Sequence, residues 1–426
     1  MRDVFVVAVG MIPFGKYPEK GIKDLVAGVM GNLLRDGPIR QDQIEAAWMS
    51  NAGWGMQTGQ HCIRGQVALA PLGFDEIPVM NVENACAGGA SAFHGAFLGI
   101  ASGAYDVALA IGAEKSFVAK NADAEARKKG FESFLAGTDV EVTQRMIAQL
   151  RVEAEAKRGE IEKGGSPAAG EGAGSHSPFM DLYARGARAH MERHGTTQQQ
   201  LAVIAAKNHR HGALNPDAQY RRPMTVEEVL ADRLIAFPLT RAMCSPLGDG
   251  AAAAILVAGD ALARFPGARP VRVRASVLVS ASQKGGQSRR AAERAYAMAG
   301  LGPEDIDTAE VHDATAFGEL LQTESLGFCK EGEGGPYAAS HATALGGARP
   351  INPSGGLECR GHPIGATGLA QIAEIVMQLR HEAGERQVRG ARIGLTENGG
   401  GFLGTGEAAV AIHVLEGPPG TAGRTS

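Results

Sequence analysis

Short apolar runs alternate along the chain with segments whose apolar residues recur at three- and four-residue spacing. "IPVMNV" and "YDVALAIGA" are nearly continuous apolar runs of strand length, a pattern typical of parallel strands that are covered on both faces. Between them, "SAFHGAFLGIAS" places Phe93, Ala96, Phe97 and Ile100 on one face of a helix. The order strand, helix, strand predicts a parallel pair joined by a right-handed crossover.

A second copy of this pattern lies late in the chain. "NPSGGLECRGHPIGATGLAQIAEIVMQL" runs from a glycine-rich turn into a small-residue helix, and "ARIGLTENGGG" is a strand followed by a turn. "GEAAVAIHVLEG" then resembles the earlier "DGAAAAILVAGD", so an internal duplication is predicted. Charged helical stretches and the linker "GGSPAAGEGAGSHSP" distinguish residues 120–239, which predicts a helical cap inserted in the first half. The first half then comprises residues 1–119 and 240–262, and the second half comprises residues 263–426.

Composition narrows the class of protein. A chain of 426 residues with 44% hydrophobic content can bury a large core, and 59 glycines with only 5% aromatic residues favour a layered α/β protein with small-residue helices at its centre. The net charge of −4, without a basic stripe, gives no sign of nucleic-acid or membrane-surface binding. The opening run "MRDVFVVAVGMIPFG" is too short to span a bilayer and lacks a cleavage pattern. Small-molecule ligands and no membrane span are therefore expected.

The five cysteines lie far apart in the sequence, with no CxxC pair and no Cys/His spacing typical of zinc. A reduced cytoplasmic protein without a metal site is predicted. Cys86 differs from the others because it lies between an apolar run and a small-residue helix. A helix N-terminus favours the thiolate, so Cys86 is predicted to ionise more readily than a free cysteine, whose pKa is about 8.5. The alternative is a small buried side chain with a packing role.

Several motifs occur in the order found in the thiolase superfamily, namely "NACAGGASAF", "SPLGDGAAAAILV", "HDATAF", "NPSGGLECRGHPIGATG" and "ENGGG". The sequence resembles the sterol-carrier-protein type of thiolase in particular, over nearly its whole length. This resemblance implies a duplicated, five-layered αβαβα fold, usually found as a dimer. It also implies an enzyme that makes or breaks carbon–carbon bonds between acyl-coenzyme A thioesters, with coenzyme A as substrate and no tightly bound cofactor.

The resemblance assigns roles to four residues. Cys86 matches the family nucleophile, and His362 in "GHPIGATG" matches the histidine that takes the cysteine proton. His312 in "HDATAF" is expected to hold the thioester oxygen while an enolate develops. The backbone N–H groups of Cys86 and Gly399 are expected to polarise the carbonyl that is attacked.

The proton donor to the leaving enolate is where the sequence departs from the family. Most thiolases have a cysteine in a Cys-x-Gly motif, and Glu397 occupies that position here. The sterol-carrier-protein type has a cysteine directly after His-Asp, and that residue here is Ala314. Cys359, three residues before His362, is the first remaining candidate, although it could equally pack under the loop. Glu397 is the second, because a desolvated carboxyl can titrate near neutral pH.

These assignments predict a thiolase-type acyltransferase that cleaves or forms a 3-oxoacyl-coenzyme A through a cysteine acyl-enzyme. Branched, steroid-side-chain or aromatic acyl groups, such as benzoylsuccinyl-coenzyme A, fit the subgroup, as does a role in β-oxidation of lipids or aromatic compounds. The alternatives are a thiolase-fold retro-aldolase acting on a steroid-like side chain and a noncatalytic lipid-carrier or scaffold subunit. Retention of Cys86 and His362 argues against the aldolase. A homodimer is expected, and the resemblance also implies a small partner subunit with an OB-fold and a zinc ribbon.

Overall fold

The computed structural model describes residues 1–117, 135–145, 148–149, 152, 177–404 and 406–418. Its strands are β1 (Val4–Met11), β2 (Ala46–Ser50), β3 (Val79–Val82), β4 (Val107–Lys115), β5 (Leu234–Ala236), β6 (Leu239–Thr240), β7 (Asp249–Ala258), β8 (Val271–Ser280), β9 (Thr308–Glu310), β10 (Ile393–Gly400) and β11 (Ala409–Glu416). Its α-helices are α1 (Ile22–Asp36), α2 (Trp54–Thr58), α3 (Arg64–Leu69), α4 (Gly88–Ala101), α5 (Pro178–His194), α6 (Gln198–Ala213), α7 (Val226–Ala231), α8 (Gln287–Ala299), α9 (Ala316–Ser325), α10 (Gly334–Ala339), α11 (Gly356–Arg360) and α12 (Thr367–Leu379).

The strand order shows the duplication. Nine strands follow one another as β3-β2-β4-β7-β1-β8-β11-β10-β9, and β5 pairs separately with β6. In the first half, β4 pairs parallel with β2 and antiparallel with β7. In the second half, β10 pairs parallel with β9 and antiparallel with β11. The two halves meet at a short antiparallel contact between β1 and β8, so the predicted duplication is confirmed.

Helices and sheets alternate in five layers. The α4 and α12 helices pack against each other and contact strands of both halves, which places them in a central layer between the two halves of the sheet. The α1 helix covers β1 and β7 on one outer side, and α8 covers β8 and β11 on the other. This arrangement confirms the predicted αβαβα fold.

Small residues allow the central helices to approach closely. A Cβ on Gly89 of α4 would lie 2.9 Å from the carbonyl oxygen of Gly365, and a Cβ on Gly368 of α12 would lie 2.5 Å from the amide nitrogen of Ala90. Gly112 of β4 faces the same loop, where an added Cβ would come within 2.0 Å of the Gly365 oxygen. Any larger side chain at these positions would push the halves apart. These three glycines thus permit backbone-to-backbone packing at the centre.

Only part of the predicted cap is described, because most of residues 120–176, including the glycine-rich linker, lies outside the described residues. The α6 helix begins with a capping box, in which the Thr197 hydroxyl accepts from the Gln200 N–H. Leu201 and Ile204 of α6 pack with Phe317 of α9 in a cluster of their own. The α5 and α6 helices therefore lie over the segment that follows "HDATAF". No helix in the described ranges is both long and apolar enough to cross a bilayer.

Candidate active site

Two residues that precede the central helices meet between the halves. Cys86 lies two residues before α4, and His362 lies two residues before the 3₁₀ turn Ile364–Ala366 that leads directly into α12. Because the two helices pack together, the Cys86 Sγ lies 3.1 Å from the His362 Nε2. Each half of the molecule thus supplies one member of a thiol–imidazole pair, the arrangement of an activated cysteine nucleophile.

The hydrogen bonds of His362 fix its tautomer. The Thr367 hydroxyl donates its one hydrogen to the carbonyl oxygen of Pro363 at 2.9 Å, so it can only accept from the His362 Nδ1, which lies 2.7 Å away. The ring proton is therefore on Nδ1, and Nε2 carries a lone pair toward the Cys86 sulfur. This is the tautomer that a base needs.

Removing the Thr367 hydroxyl is expected to slow the reaction of Cys86. In Thr367→Val the His362 ring loses the bond that orients it, and alkylation of Cys86 by iodoacetamide at neutral pH should fall by about tenfold, the typical worth of one hydrogen bond. Thr367→Ser keeps the hydroxyl and should retain the wild-type rate. Peptide mapping of the labelled protein measures both rates, and equal rates in the valine and serine variants would show that Thr367 does not orient the ring.

Burial, rather than the helix N-terminus, dominates the ionisation of Cys86. Desolvation raises the pKa of the thiol to about 12, and the carboxyl of Glu114 acts in the same direction. Hydrogen bonds from the backbone N–H groups of Cys86 itself and Gly401 favour the thiolate but do not compensate. The prediction of a low-pKa thiolate is therefore wrong.

The local backbone explains this difference. The α4 helix begins at Gly88, two residues after the cysteine, and the N–H groups of Ala87 and Gly88 donate to the carbonyl oxygens of Asn84 and Ala85. Those donors are unavailable to the sulfur. Burial also holds the pKa of His362 well below its usual value. The resting pair is accordingly a neutral thiol beside a neutral imidazole, and the thiolate forms only when the proton moves to Nε2.

His312 completes the cluster. Ligand atoms of Cys86, His312 and His362 all lie within 4.8 Å of one another, and the two imidazole rings meet edge to face at 5.2 Å. The amide nitrogen of Asn398 lies 3.1 Å from the His312 Nδ1 and donates to it, which places the ring proton on Nε2. Burial lowers the pKa of His312 to about 4, so the ring is neutral at pH 7. A neutral N–H donor beside the thiol can stabilise a developing oxyanion.

The two histidine loops are tied together through Asp313. One of its carboxylate oxygens accepts from the Leu357 N–H at 2.7 Å, in the short helix α11 that leads into His362. Asn352, which has a positive φ of 54°, accepts with its side-chain oxygen from the Val311 N–H at 2.9 Å. These bonds fix the backbone on both sides of the cluster. Asp313 acts on the site through the backbone.

Glu397 lies against His312. Its Oε2 accepts from the backbone N–H of His312 at 2.9 Å, whereas its buried Oε1 has no hydrogen-bond partner in the described part of the chain. Burial and the neighbouring Glu407 raise the pKa of Glu397 to about 8. At neutral pH the side chain is mostly a carboxylic acid, with one oxygen free to exchange a proton.

Cys359 is placed differently. It is fully buried on α11, and a Cβ on Gly212 of α6 would lie only 2.6 Å from the Cys359 Cβ and 3.5 Å from its Sγ. Burial and the carboxyl of Glu358 raise the pKa of this thiol well above its usual value. The structure does not bring Cys359 into the cluster of Cys86 and the histidines, and its contacts match the packing alternative.

The "ENGGG" segment supplies more than the sequence indicated. It was expected to form a turn, but its first four residues are the end of strand β10 and only Gly401 lies beyond the strand. Gly399 pairs in register with Val410 within the β10–β11 ladder, and its N–H remains the predicted oxyanion donor. The N–H that reaches the Cys86 sulfur belongs to Gly401. The same segment carries Asn398, the partner of His312. Sequence reasoning missed both roles, although the residues lie in the motif that it singled out.

By distance alone, the cluster of Cys86, His312 and His362 could also accept a metal ion. No fourth cysteine, histidine or carboxylate ligand joins these atoms among the residues that the structure describes. The His312 Nε2 carries a proton, so it cannot bind a metal ion, and the His362 Nε2 lone pair already faces the Cys86 thiol. We therefore interpret the cluster as a nucleophile, its base and an oxyanion donor.

Comparisons with known proteins place this cluster in context. Residues 4–260 match the family model "Thiolase, N-terminal domain", and residues 281–413 match "Thiolase C-terminal domain-like". The chain is 37% identical to acetyl-CoA acetyltransferase of Methanothermobacter thermautotrophicus, over 97% of this chain and 100% of that protein. It is 34% identical to bovine sterol carrier protein 2, over 98% and 73% of the two chains. It is 31% identical to the benzoylsuccinyl-CoA thiolase subunit BbsB of Thauera aromatica, over 94% of this chain and 95% of that protein.

Two solved structures share the fold. The Ltp2-ChsH2(DUF35) aldolase superposes with a TM-score of 0.73 at 19% identity, covering 97% of this chain and 98% of the other. Human mitochondrial 3-ketoacyl-CoA thiolase in complex with CoA gives a TM-score of 0.70 at 18% identity, covering 98% of both chains. At these identities the likeness extends to the fold alone.

Proposed function

Since this chain belongs to the thiolase superfamily and is an acyltransferase, we propose that it cleaves or forms a 3-oxoacyl-coenzyme A through an acyl-enzyme on Cys86. The observation that carries the proposal is the 3.1 Å contact between the Cys86 Sγ and the His362 Nε2, in which Nε2 has the lone pair. A neutral pair of this kind makes the thiolate at the moment of attack.

In the first half of thiolysis, the Cys86 S–H proton moves to the His362 Nε2 while the sulfur bonds to the keto carbon of the substrate. The adjacent carbon–carbon bond then breaks, which leaves an acyl group on Cys86 and the enolate of the departing thioester. The His312 Nε2–H is the donor for the enolate oxygen. Glu397 gives its carboxyl proton to the α-carbon and becomes a carboxylate.

The second half restores the resting enzyme. The thiol of coenzyme A gives its proton to the Glu397 carboxylate, and its sulfur bonds to the acyl carbon. The bond between that carbon and the Cys86 sulfur breaks, and His362 returns its proton to Cys86. Glu397 thus takes the place of the proton-shuttling cysteine, which most thiolases have at the position of Glu397 and the sterol-carrier-protein type has at the position of Ala314. Its buried, unpartnered Oε1 and its raised pKa support this role.

Acylation of Cys86 tests the proposed function directly. Incubation with acetyl-coenzyme A should attach one acetyl group per chain, and peptide mapping should place it on Cys86. His362→Asn should prevent the acetylation without unfolding the protein, as judged by circular dichroism. Exposed Cys62 provides the internal control for nonenzymatic acetyl transfer. An acetyl group spread over several thiols, or none at all, would contradict the proposal.

The two alternative functions lack such support. Similarity to the Ltp2-ChsH2(DUF35) aldolase is a likeness of fold at 19% identity, and a retro-aldolase has no use for a thiol held against a base. A lipid-carrier or scaffold subunit would need neither the oriented lone pair of His362 nor the donor on His312. The acylation experiment separates the thiolase from both alternatives, because neither of them would form an acyl-enzyme on Cys86.

We also propose the assembly and cellular location that the sequence predicted. Strand β3 is an edge of the sheet whose side chains are partly exposed, and pairing of this edge with a second copy would form the homodimer. A separate subunit with an OB-fold and a zinc ribbon remains an expectation; the similar aldolase structure carries two component names, Ltp2 and ChsH2(DUF35). A cytoplasmic location, the division into two halves with a cap at residues 120–239, and a branched, aromatic or steroid-side-chain acyl group stay proposals.

A further inference from the structure

Glu407 lies beside the proton donor. A Cβ on Gly399 would be 2.7 Å from the Glu407 Cγ, so the Glu407 side chain occupies the space that a side chain at position 399 would fill. Residues two apart on a strand face the same side of the sheet. Glu407 therefore lies on the face of β10 toward which the Glu397 side chain points.

The surroundings of this pair are acidic. The Glu407 Oε1 accepts from the amide nitrogen of Gln322 at 3.2 Å, while the carbonyl oxygen of that amide is buried without a hydrogen-bond partner in the described ranges. The phenol of Tyr183, from the cap helix α5, lies within electrostatic reach of Glu407, Cys86 and Glu397. Among described residues, no lysine or arginine lowers the pKa of Glu397 or Glu407. Burial raises the pKa of Glu407 above its ordinary value, and the Glu407 carboxylate in turn raises the pKa of Glu397. The wall next to the proton donor therefore offers acceptor oxygens and, in the pH range where Glu397 titrates, the negative charge of Glu407.

We propose that Glu407 determines substrate specificity by excluding a carboxylate from the part of the substrate that becomes the enolate. This inference rests on the proposed function, because it concerns the α-carbon that Glu397 protonates. A group attached to that carbon lies within one or two bond lengths of it, and Glu407 lies beside Glu397, so a carboxylate on that group would approach Glu407. The substrate class that follows is a 3-oxoacyl thioester whose α-carbon carries hydrogen or an uncharged chain.

The expected discrimination is large because the site is poorly hydrated. Two negative charges about 6 Å apart at an effective dielectric constant of about 20 disfavour binding by roughly 100-fold. Benzoylsuccinyl-coenzyme A, one of the substrates considered from the sequence, would release a succinyl thioester that carries such a carboxylate. The acidic wall therefore disfavours this substrate and is compatible with acetyl or simple branched thioesters.

Exchange of α-hydrogens with deuterium oxide tests the inference. At about pH 8, where Glu397 is partly a carboxylate, the wild-type enzyme should exchange the α-hydrogens of acetyl- and butyryl-coenzyme A. Succinyl-coenzyme A should exchange about 100-fold more slowly than its neutral methyl ester, which has nearly the same shape. This comparison of two thioesters needs no variant, so it holds whether or not a Glu407 variant folds.

A variant separates charge from shape. Glu407→Gln should bring the exchange rate of succinyl-coenzyme A to within about tenfold of that of the methyl ester. The substitution also lowers the pKa of Glu397, but this change affects the exchange rates of succinyl-coenzyme A and its methyl ester alike, so it cancels in their ratio. Glu385→Gln, which changes an exposed glutamate outside this pair, is the matched control. It should leave the ratio of the two exchange rates unchanged.

Acetylation of Cys86 without exchange of any thioester would show that Glu397 is not the base at the α-carbon, and would overturn the specificity that depends on it. Equal exchange of the two succinyl thioesters by the wild type, or an unchanged ratio in Glu407→Gln, would overturn the role of Glu407 while leaving the proposed function intact. No exchange of any thioester, together with no acetylation of Cys86, would overturn the proposed function and the specificity with it.

Discussion

Cys86→Ala should abolish turnover, by a factor on the order of 10⁶ if the nucleophile and its base act as one unit. The alanine lacks the sulfur that bonds to the acyl carbon, and no other thiol of the described residues lies in the cluster around His362. Thiolysis of acetoacetyl-coenzyme A and circular dichroism measure the loss of activity and the retention of the fold. Cys244→Ala, at a half-buried thiol outside the cluster, is the control and should remain active.

The raised pKa of Cys86 adds a distinctive pH dependence. Because His362 is neutral between about pH 6 and pH 9, the Cys86 proton moves within the pair, and alkylation by iodoacetamide should change little over this range. In His362→Asn the thiol, with its pKa of about 12, has no base. It reacts only through the free thiolate, whose fraction grows about tenfold per pH unit, so its alkylation should be slow and should rise steeply over the same range. Acetyl-coenzyme A should protect the thiol in the wild type, and an equally steep rise in the wild type would show that His362 does not take the proton.

Glu397→Gln should lower thiolysis by roughly 10²- to 10⁴-fold, the usual cost of losing a general acid. The amide keeps the shape and can still accept from the His312 N–H, but it cannot give a proton to the enolate. Acylation of Cys86 by acetyl-coenzyme A releases coenzyme A, whose thiolate can leave without the proton that a carbon leaving group needs, so that half-reaction should be slowed much less than thiolysis. Measuring both half-reactions separates the loss of proton transfer from a loss of structure.

Cys359→Ala is the matched comparison. Its thiol packs against Gly212 of α6, so its removal should change thiolysis by no more than about threefold. If instead Cys359→Ala lost its thiolysis activity and Glu397→Gln kept it, Cys359 would be the proton donor. If neither variant were affected, the proton would have to come from water or from His312.

The pH profile of thiolysis gives an independent check on Glu397. Its pKa is raised to about 8, so the acid form is present below that value and is lost as the pH rises through it. Thiolysis should fall above about pH 8, whereas the reverse condensation, which needs the carboxylate as base, should rise over the same range. Glu407→Gln removes the neighbouring charge and should move both transitions to lower pH.

The fold was largely predictable because its signals are local. Apolar runs of strand length, small-residue helices and the repeated pattern around Cys86 and His362 all depend on sequence neighbours. The order of the motifs further identified the family. Boundaries within the cap were not predictable to the same degree, since a charged, glycine-rich stretch has little periodicity.

The site was predicted only in part, for a physical reason. Residue types and motif positions indicated Cys86, His362 and His312, and the structure brings these three together. The ionisation of Cys86 depends on how deeply it is buried and on Glu114, neither of which leaves a local signal.

The proton donor shows the same limit of sequence reasoning. Proximity in sequence suggested Cys359, but α11 turns its thiol toward Gly212 of α6, away from the histidine three positions later. Glu397 gains its raised pKa from burial and from Glu407 across the hairpin. That contact is specified only by the register of β10 and β11, which sequence neighbours do not reveal.

Because α4 and α12 meet at a glycine-lined contact, the reactivity of Cys86 depends on the relative position of the two helices. The sulfur is attached to the segment before one helix and the imidazole to the segment before the other, so a sliding movement between the helices changes their separation by a comparable amount. Gly89, Gly112 and Gly368 leave almost no clearance for such movement. A substitution far from the site that loosens this contact would alter the reactivity of Cys86 before it measurably altered stability. Alkylation kinetics could thus detect distortions in the joint between the halves that a melting curve would not resolve.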